Sequence, residues 1–371
     1  MRRILIVINS SRLSGAEASI ITQIKFLRES SELVVALPSY SALKQRFEGD
    51  GYRVITIDMV RFSKRRTFGR HLHHFFQILR QSAHLSQIIA SEKIDIVWAN
   101  SLQSLIYVFP IRFITKAKVI WSVRDNISNK WKGYLFSLFA TQVICISEYI
   151  RSQLPSNKKN KVIYNGVDLD LWKPEAINCN VRILKRKEAS TVHIGNIGQL
   201  IPWKNQLHFI SIAIIISRFI PNAHFFIIGE DLFNDYPEYR RELEKKVIEA
   251  DMADSITFLG HNDDIKSIIN DLDIIIHTAL NEPLGRVILE AMALKRIVFS
   301  YASGGIKEII EDGKDGFLGP ENDPIALANR IVWFFNQSLD FKEGIKIKAR
   351  RKILSKFDAH SITLQIKAVM Y

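Results

Sequence analysis

Residues 273–300 read DIIIHTALNEPLGRVILEAMALKRIVFS, and this stretch shows most clearly the pattern from which the fold is predicted. A β-branched run, Asp273–His277, is followed by a turn with Pro283 and Gly285, then by an apolar segment of helical length and a second β-branched run, Ile297–Ser300. Continuous apolar strands separated by a helix are typical of a parallel sheet that is covered on both faces. The stretch therefore predicts a β–α–β unit.

The same alternation runs through most of the chain. Strands are predicted at Ile4–Ile8, Leu33–Leu37, Val54–Asp58, Asp95–Ala99, Lys118–Val123, Val143–Ile146, Val192–Ile197, His224–Ile228, Ser255–Leu259 and Gly316–Leu318. Helices are predicted at Glu17–Arg28, Arg70–Ala90, Asn205–Phe219 and Pro324–Phe335. In parallel sheets of this kind, ligands bind in the loops beyond the carboxyl ends of the strands.

The alternation restarts near residue 190, after a polar and aperiodic stretch. A length of 371 residues also favours about two domains. We expect an α/β fold of two doubly wound, Rossmann-like domains, covering residues 1–172 and 173–355. Residues 356–371 are expected to form a C-terminal helix that could return to the first domain.

Cysteine content and hydropathy indicate the compartment. Cys145 and Cys179 lie too far apart for a redox or zinc motif, so we expect reduced thiols in a reducing compartment. The apolar run Ile4–Ile8, which follows two arginines, is too short for a signal peptide. No window reaches the ~18 apolar residues that a membrane span needs. We expect a cytoplasmic protein that is peripheral at the inner face of the cell membrane.

The net positive charge comes from the first half of the chain. Residues 1–170 carry 25 Lys and Arg against 12 Asp and Glu, whereas residues 171–371 carry 26 of each kind. Such asymmetry indicates that the first half meets a polyanion, either an acidic membrane surface or nucleic acid. Residues 60–80 add aromatic side chains to a basic run, which suits an anionic membrane interface. The alternative is a solvated loop and helix.

Two loops that follow first strands have features of ligand sites. In Asn9–Glu17, Gly15 allows close backbone approach and a helix follows, although Ser14 acting only as an N-cap explains the loop equally well. In Gly198–Gln206, Lys204 lies where a helix should begin. A lysine there opposes the helix dipole, and a bound anion would relieve the conflict. An exposed lysine in a loop is the alternative.

Glu290 is unusual because it lies in the otherwise apolar helix of the opening stretch. A buried carboxylate is costly unless it is bonded. If the helix begins near Gly285, the amides of Gly285, Arg286 and Val287 form a ready phosphate site. Glu290 would lie ~6 Å further along the axis, where ribose hydroxyls could reach it, and Glu282 could hold sugar hydroxyls. Alternatively, Glu290 bonds a neighbouring backbone group or lysine.

Residues 281–318, NEPLGRVILEAMALKRIVFSYASGGIKEIIEDGKDGFL, resemble the C-terminal signature of the retaining glycosyltransferases of family 4, which have the GT-B fold. The E-x(7)-E pair of that family matches Glu282 and Glu290. Four other segments occur in family order: SGAE (14–17) resembles the acceptor loop, VIYNGVDLDLWKP (162–174) the end of the first domain, IGNIGQLIPWKNQ (194–206) the diphosphate loop and FIIGED (226–231) a strand end near the nucleotide.

The resemblance implies transfer of a hexose-type sugar from a UDP- or GDP-linked donor, with retention at the anomeric carbon. Two domains would face a central cleft, the donor on the second and the acceptor on the first. Lys204 would bind the diphosphate, Glu290 the ribose and Glu282 the transferred sugar. The resemblance further assigns Gly198, Gln199, Gly229, Gly285, Arg286 and Val287 to the donor and Ser14, Gly15, Glu17 and Asp125 to the acceptor side.

Two positions depart from the family pattern. Gln199 stands where relatives usually have an arginine, so phosphate neutralisation falls more heavily on Lys204 and Arg286. Arg124-Asp125 replaces a usual His-Asp pair, and Arg124 is then expected to meet an anionic acceptor or a phosphate as a catalytic residue. No metal or other cofactor is expected, because the Asp271–Asp273 motif lies at the wrong end of its strand.

The sequence favours a glycosyltransferase that builds a bacterial-type surface polysaccharide, a lipopolysaccharide or a lipid-linked oligosaccharide. Its partners would be a nucleotide-sugar donor, a glycan or lipid-linked acceptor and an anionic membrane, without nucleic acid. One alternative is a nucleotide-sugar epimerase or hydrolase of the same architecture. The other is a non-enzymatic nucleic-acid binder, motivated by the basic first half.

Overall fold

The structure, a computed structural model, describes residues 1–60, 71–127, 129–176, 184 and 190–371, without the side chains of residues 71–73 and 176. The chain divides into two compact units. The first unit consists of Met1–Gly166 together with Ala359–Tyr371, and the second is Val167–Asp358. The second unit therefore begins at residue 167 and ends at residue 358, whereas the sequence-based boundaries are residues 173 and 355.

The first unit is built on a parallel sheet of seven strands in the order β3-β2-β1-β4-β5-β6-β7. The strands are β1 (Arg2–Val7), β2 (Ser31–Pro38), β3 (Arg53–Ile57), β4 (Ile96–Ala99), β5 (Lys118–Val123), β6 (Gln142–Cys145) and β7 (Asn160–Val162). Strand β1 pairs Ile4 with Leu33 on one side and with Ile96 on the other. The strand order reverses between β1 and β4, which makes that position the switch point of the sheet.

Helices cover this sheet, and one of them comes from the C-terminal end of the chain. They are α1 (Gly15–Leu27), α2 (Leu43–Gly49), α3 (His71–Ser91), α4 (Leu102–Val108), α5 (Ile111–Ile114), α6 (Lys130–Leu138), α7 (Glu148–Ser152) and α15 (Ala359–Met370). Ile362, Ile366 and Met370 of α15 are buried in the same core as β1 and β2. Gly166 leaves room for α15, because a Cβ there would lie 2.4 Å from Ala359 Cα.

The second unit repeats the design with six parallel strands in the order β10-β9-β8-β11-β12-β13. The strands are β8 (Val192–Ile197), β9 (Ala223–Ile228), β10 (Ile256–Gly260), β11 (Ile274–His277), β12 (Ile297–Tyr301) and β13 (Phe317–Gly319). Strand β11 pairs with β12 and with β8, with Ile274 opposite Ile297 and Ile194. The switch point therefore lies between β8 and β11.

Seven α-helices are described in the second unit: α8 (Gln206–Ser217), α9 (Pro237–Glu249), α10 (Ile265–Asp271), α11 (Arg286–Ala293), α12 (Ile306–Ile309), α13 (Pro324–Phe335) and α14 (Leu339–Lys356). Helices α8 and α13 bury Phe209, Ile212 and Ile331 in the core beneath the sheet. The predicted β–α–β unit at residues 273–300 is confirmed as β11, α11 and β12.

Two doubly wound, Rossmann-like units confirm the predicted fold class. Strand β7 was not predicted because its three residues, Asn-Lys-Val, are mostly polar and too few to show a period. Among the described residues, no helix is long and apolar enough to cross a bilayer.

Candidate functional site

The loops beyond β8 and β11 lie at the switch point of the second sheet, and they carry Lys204 and Glu282. A 3₁₀ turn, Pro202–Lys204, ends at Asn205 with φ 57°, and α8 then begins at Gln206. The loop must pass close to the end of β9. Gly229 has φ +132°, and a Cβ there would lie 2.0 Å from the Gly198 carbonyl oxygen. These two glycines therefore set the path of the loop that presents Lys204.

Lys204, Glu282 and His277 form one hydrogen-bonded cluster, which we call the Glu282 cluster. Lys204 Nζ donates to Glu282 Oε2 at 2.6 Å, and His277 Nε2 lies 3.0 Å from the same oxygen. The Thr278 hydroxyl donates to the Lys204 carbonyl at 3.0 Å, which fastens the two loops together. The anion that faces Lys204 in the structure is therefore Glu282.

The charges in this cluster follow from burial and proximity. Burial raises the pKa of Glu282, but the Lys204 charge and the His277 hydrogen bond outweigh it and bring the pKa to about 2. Burial lowers the pKa of His277, against the opposing effect of Glu282. At neutral pH an ionised Glu282 thus faces Lys204, and a neutral His277 can donate its Nε2 proton to the carboxylate.

The backbone of Glu282 is held by the loop that follows β12. The Gly305 amide donates to the Glu282 carbonyl at 2.8 Å, and the Asn281 amide donates to Ser303 Oγ at 2.6 Å. Gly304 has φ +60°, and a Cβ there would lie 2.2 Å from the Glu282 carbonyl oxygen. The close approach of two backbones needs glycine at this position.

Glu290 has a partner within its own helix. Gly285, with φ 97°, precedes α11, and the Arg286 Nε donates to Glu290 Oε1 at 2.5 Å. Burial raises the pKa of Glu290, and the Arg286 charge opposes this effect. The partner is thus a neighbouring side chain, and it is an arginine rather than the lysine or backbone group named as the alternative to ribose.

His277 and the Ser303–Gly305 loop are the parts of this site that sequence reasoning missed. His277 could have been found as a polar residue that ends an otherwise apolar strand at the carboxyl edge of the sheet. The two consecutive glycines after β12 were a second signal. The structure brings together Lys204, Glu282 and Gly198 of the predicted donor residues, and places Arg286 and Glu290 on the helix that follows Glu282.

In the first unit, Arg124 is buried at the end of β5. Its guanidinium donates to Asn100 Oδ1 and Asn165 Oδ1, each at 2.7 Å, and to Gln23 Oε1 at 3.0 Å. Each of its three nitrogens therefore has an amide oxygen as partner, so the protein itself accounts for the burial of this charge. Asp125, the next residue, is exposed.

The predicted acceptor loop leads into α1, and its residues Gly15 and Glu17 belong to the first turn of that helix. Glu17 Oε2 accepts from the Ser14 amide at 3.1 Å and from the Ser14 hydroxyl, and burial raises the pKa of Glu17. Ser14 is the N-cap residue of α1, as the simpler interpretation of this loop predicted. A Cβ added at Gly15 would meet nothing within 4 Å, so chain packing does not require glycine there.

Two aspartates considered as metal ligands bond to the backbone instead, and two other features from the sequence lie outside the described residues. Asp273 accepts from the His193 amide at 2.8 Å and Asp271 from the Leu184 amide at 3.0 Å, at the amino end of β11. In the described ranges, no group of His, Cys, Asp and Glu is arranged to hold a metal ion. Residues 61–70, the basic part of the predicted membrane segment, and Cys179 lie outside the described residues.

Two doubly wound units, with a lysine and buried glutamates at the switch point of the second, define a GT-B protein. Comparisons with protein families agree with this class. The model described as Glycosyltransferase Family 4 matches residues 13–171, and the model described as Glycosyl transferases group 1 matches residues 184–352. The two matches cover nearly all of both units. The chain belongs to the glycosyltransferases of the GT-B fold.

Individual relatives support the same assignment. Glycosyltransferase MJ1178 of Methanocaldococcus jannaschii is 27% identical over 67% of this chain and 68% of its own length. The capsular polysaccharide biosynthesis glycosyltransferase CapM of Staphylococcus aureus is 23% identical over 69% and 71%, respectively. Other relatives, such as MJ1607 of M. jannaschii, match over less than two thirds of their own length.

Among solved structures, Anabaena HepE in complex with UDP and glucose is similar to this chain with a TM-score of 0.83. The likeness covers 100% of this chain and 99% of that one at 23% identity. It establishes the fold. The two alternatives to a glycosyltransferase, an epimerase or hydrolase and a nucleic-acid binder, are not favoured by the comparisons.

Proposed function

We propose that the protein transfers a hexose-type sugar from a nucleotide diphosphate sugar to a glycan or lipid-linked acceptor, with retention at the anomeric carbon. The donor would bind the second unit, and the acceptor the first. Relatives named for polysaccharide synthesis and the UDP and glucose in the HepE complex support this proposal. The product would be a surface polysaccharide or lipopolysaccharide precursor made at the inner face of the cell membrane.

The Glu282 cluster is the observation on which the proposal depends. Breaking the bond between a sugar and a diphosphate leaves negative charge on the diphosphate, and a preorganised cation stabilises that charge as it develops. The buried Glu282 carboxylate holds Lys204 at the switch point, with 2.6 Å between Lys204 Nζ and Glu282 Oε2. The cation is therefore in position before a donor binds. In the proposed complex, the ammonium is shared between Glu282 and the diphosphate.

The remaining donor contacts would come from α11 and the loop before it. First-turn amides lack intrahelical partners and favour anions, which suits the amides of Gly285, Arg286 and Val287. Glu290 Oε1 is held by Arg286, and Oε2 would accept from ribose hydroxyls. Glu282 would hold the transferred sugar, oriented by His277.

Donor binding tests the proposal directly. Thermal-shift measurements with UDP, GDP and their sugars should find one nucleotide that raises the melting temperature. A ligand at 100 times its Kd adds about 2.7 kcal/mol of stability. Glu282→Gln should weaken the effect of the nucleotide sugar, whereas Glu249→Gln, an exposed residue of α9, should not. Absence of any shift with every nucleotide sugar would contradict the proposal.

Turnover tests the chemical step. Lys204→Ala should lower kcat by about 100-fold, as expected for loss of one charge-stabilising donor. A loss below about threefold would assign that role to another cation. The anomeric configuration of the product, measured by NMR, should match that of the donor. Inversion would contradict the retaining mechanism, and release of free sugar without acceptor would favour the hydrolase.

A further inference from the structure

Helix α6 has its large apolar side chains on the outside. Its buried positions are Gly133 and Ser137, which carry almost no side chain. Gly133 packs so closely that a Cβ would lie 2.7 Å from Leu154 Cδ2. Trp131 is 78% exposed, and Tyr134, Leu135 and Leu138 are also exposed. A helix that packs on a domain core normally has the opposite arrangement.

The exposed side chains extend onto α5. Phe113 is 68% exposed and Ile114 is exposed beside it. Phe139 joins the two helices, because its ring lies 6.3 Å from that of Phe113, centroid to centroid, and α6 ends next to it. We call this surface the α5–α6 apolar face; its members are Phe113, Ile114, Trp131, Tyr134, Leu135 and Leu138. Contiguous exposed apolar surface of this kind marks an interaction site.

The charges around the face are mostly positive. Residues 96–147 contain six Lys and Arg and a single acidic residue, Asp125. Lys130 and Lys132 flank Trp131, and Arg112 precedes Phe113. Lys159 donates to the Ala140 carbonyl, just beyond α6, at 3.3 Å; burial and the nearby charge of Arg112 lower its pKa. The surroundings of the face are therefore cationic.

We propose that the α5–α6 apolar face lies in the interfacial region of an anionic lipid membrane. Tryptophan and tyrosine favour that region, with aliphatic side chains deeper and lysines reaching the phosphates. A protein partner fits less well, because lysine is depleted at protein interfaces. The inference deepens the proposed function, which has synthesis take place at the inner face of the membrane, but membrane binding can be measured without donor or acceptor.

Co-sedimentation with vesicles tests the inference. The protein should bind phosphatidylcholine vesicles that contain about one third phosphatidylserine, and should bind pure phosphatidylcholine weakly. Trp131→Ser/Leu135→Ser should abolish binding. Lys130→Ser/Lys132→Ser should weaken it by roughly fivefold per lysine. Molar salt should act like the lysine variant, because the Debye length falls to ~3 Å.

Matched variants on the second unit provide controls. Phe219→Ser/Ile248→Ser removes two apolar side chains that are also well exposed, and Lys245→Ser/Lys307→Ser removes two exposed lysines. Both should bind vesicles as the parent does. The melting temperature and the nucleotide affinity of every variant show that folding is intact, so failure of the proposed function and failure of this inference remain distinguishable.

A second measurement locates the face in the membrane. Brominated lipids should quench the parent's tryptophan fluorescence, and Trp131→Phe should remove most of that quenching while it preserves binding. The inference is overturned if the parent ignores anionic vesicles or if both α6 variants bind normally. It is also overturned if lipid-free parent self-associates through this face, or if only Lys64→Ser/Arg65→Ser/Arg66→Ser abolishes binding.

Discussion

Replacement of Lys204 by methionine should destabilise the second unit in a pH-dependent way. The change keeps most of the side-chain volume but leaves Glu282 buried without its cation. Because the ionised carboxylate can no longer be paired, the main cost is the desolvation of an uncompensated charge. The size of this cost follows from the pKa of Glu282.

Folding lowers the pKa of Glu282 from 4.5 to about 2, which corresponds to ~3 kcal/mol of stability. Because the pKa is lower in the folded state, this contribution is fully present above about pH 5 and is lost as the pH falls toward 2. At pH 3 less than about half of this contribution should remain. Lys204→Met should therefore cost ~3 kcal/mol at pH 7, and less in acid.

Hydrogen exchange read by mass spectrometry suits this measurement. Peptides from β8 and β11 report the opening of the second unit, and the two units need not unfold together. Glu282→Gln combined with Lys204→Met should recover part of the loss, because no charge is then buried alone. Lys246→Met is the matched control. Lys246 donates to the Leu207 carbonyl and the Ser211 hydroxyl, so its loss should not show the acid dependence.

Two results would refute the reasoning. One is a cost below about 1 kcal/mol for Lys204→Met at pH 7, which would mean that the ion pair is no stronger than an exposed one. The other is a double variant as unstable as the single variant. In that case an effect other than the unpaired Glu282 carboxylate would cause the loss.

Three further predictions follow from the same site. Glu290→Gln should weaken UDP binding, measured by calorimetry, because a charge-assisted hydrogen bond to ribose becomes a neutral one about half as strong. Unchanged affinity would contradict the ribose contact and leave Glu290 a structural role as the partner of Arg286. Gly304→Ala should destabilise the second unit by ~2 kcal/mol or more through its contact with the Glu282 backbone. Gly313 also has a positive φ, +72°, but the nearest atom to an added Cβ would be Arg330 Nη2 at 3.9 Å, an ordinary van der Waals distance, so Gly313→Ala should cost less. Equal costs for the two variants would show that the contact with the Glu282 backbone is unimportant. Sugar transfer should persist in EDTA, and loss of transfer that Mg²⁺ or Mn²⁺ restores would contradict the expectation of a metal-free site.

The strands and the longer helices could be predicted because each carries a strong period. The bounds of β5, β8 and α13 agree with the sequence-based ones. The two-unit fold follows from the same alternation. For the C-terminal end, the local pattern predicts a helix at 356–371. It does not show which of the two cores the helix packs against. Burial of Ile362 and Ile366 with β1 and β2 is a long-range contact.

The candidate site was predictable where residue type and position after a strand coincide. Lys204 and Glu282 could be named, but not their 2.6 Å contact, because they are separated by a long stretch of sequence. Arg124 shows the opposite limit. Its unusual identity predicts contact with an anionic acceptor or a phosphate, and this stays a prediction. Its hydrogen bonds to Asn100, Asn165 and Gln23 could not be predicted, because these partners come from three separate parts of the chain.

The position of α15 has a consequence for how the chain is made. The first unit is interrupted by the whole of the second, so a ribosome finishes Val167–Asp358 before it supplies Ile362, Ile366 and Met370. Domains generally fold as units during synthesis. The core of the first unit therefore stays incomplete until α15 has been made, whereas the second unit can complete its core before that. During that interval the nascent first unit exposes apolar core surface, and such surface favours aggregation and chaperone binding.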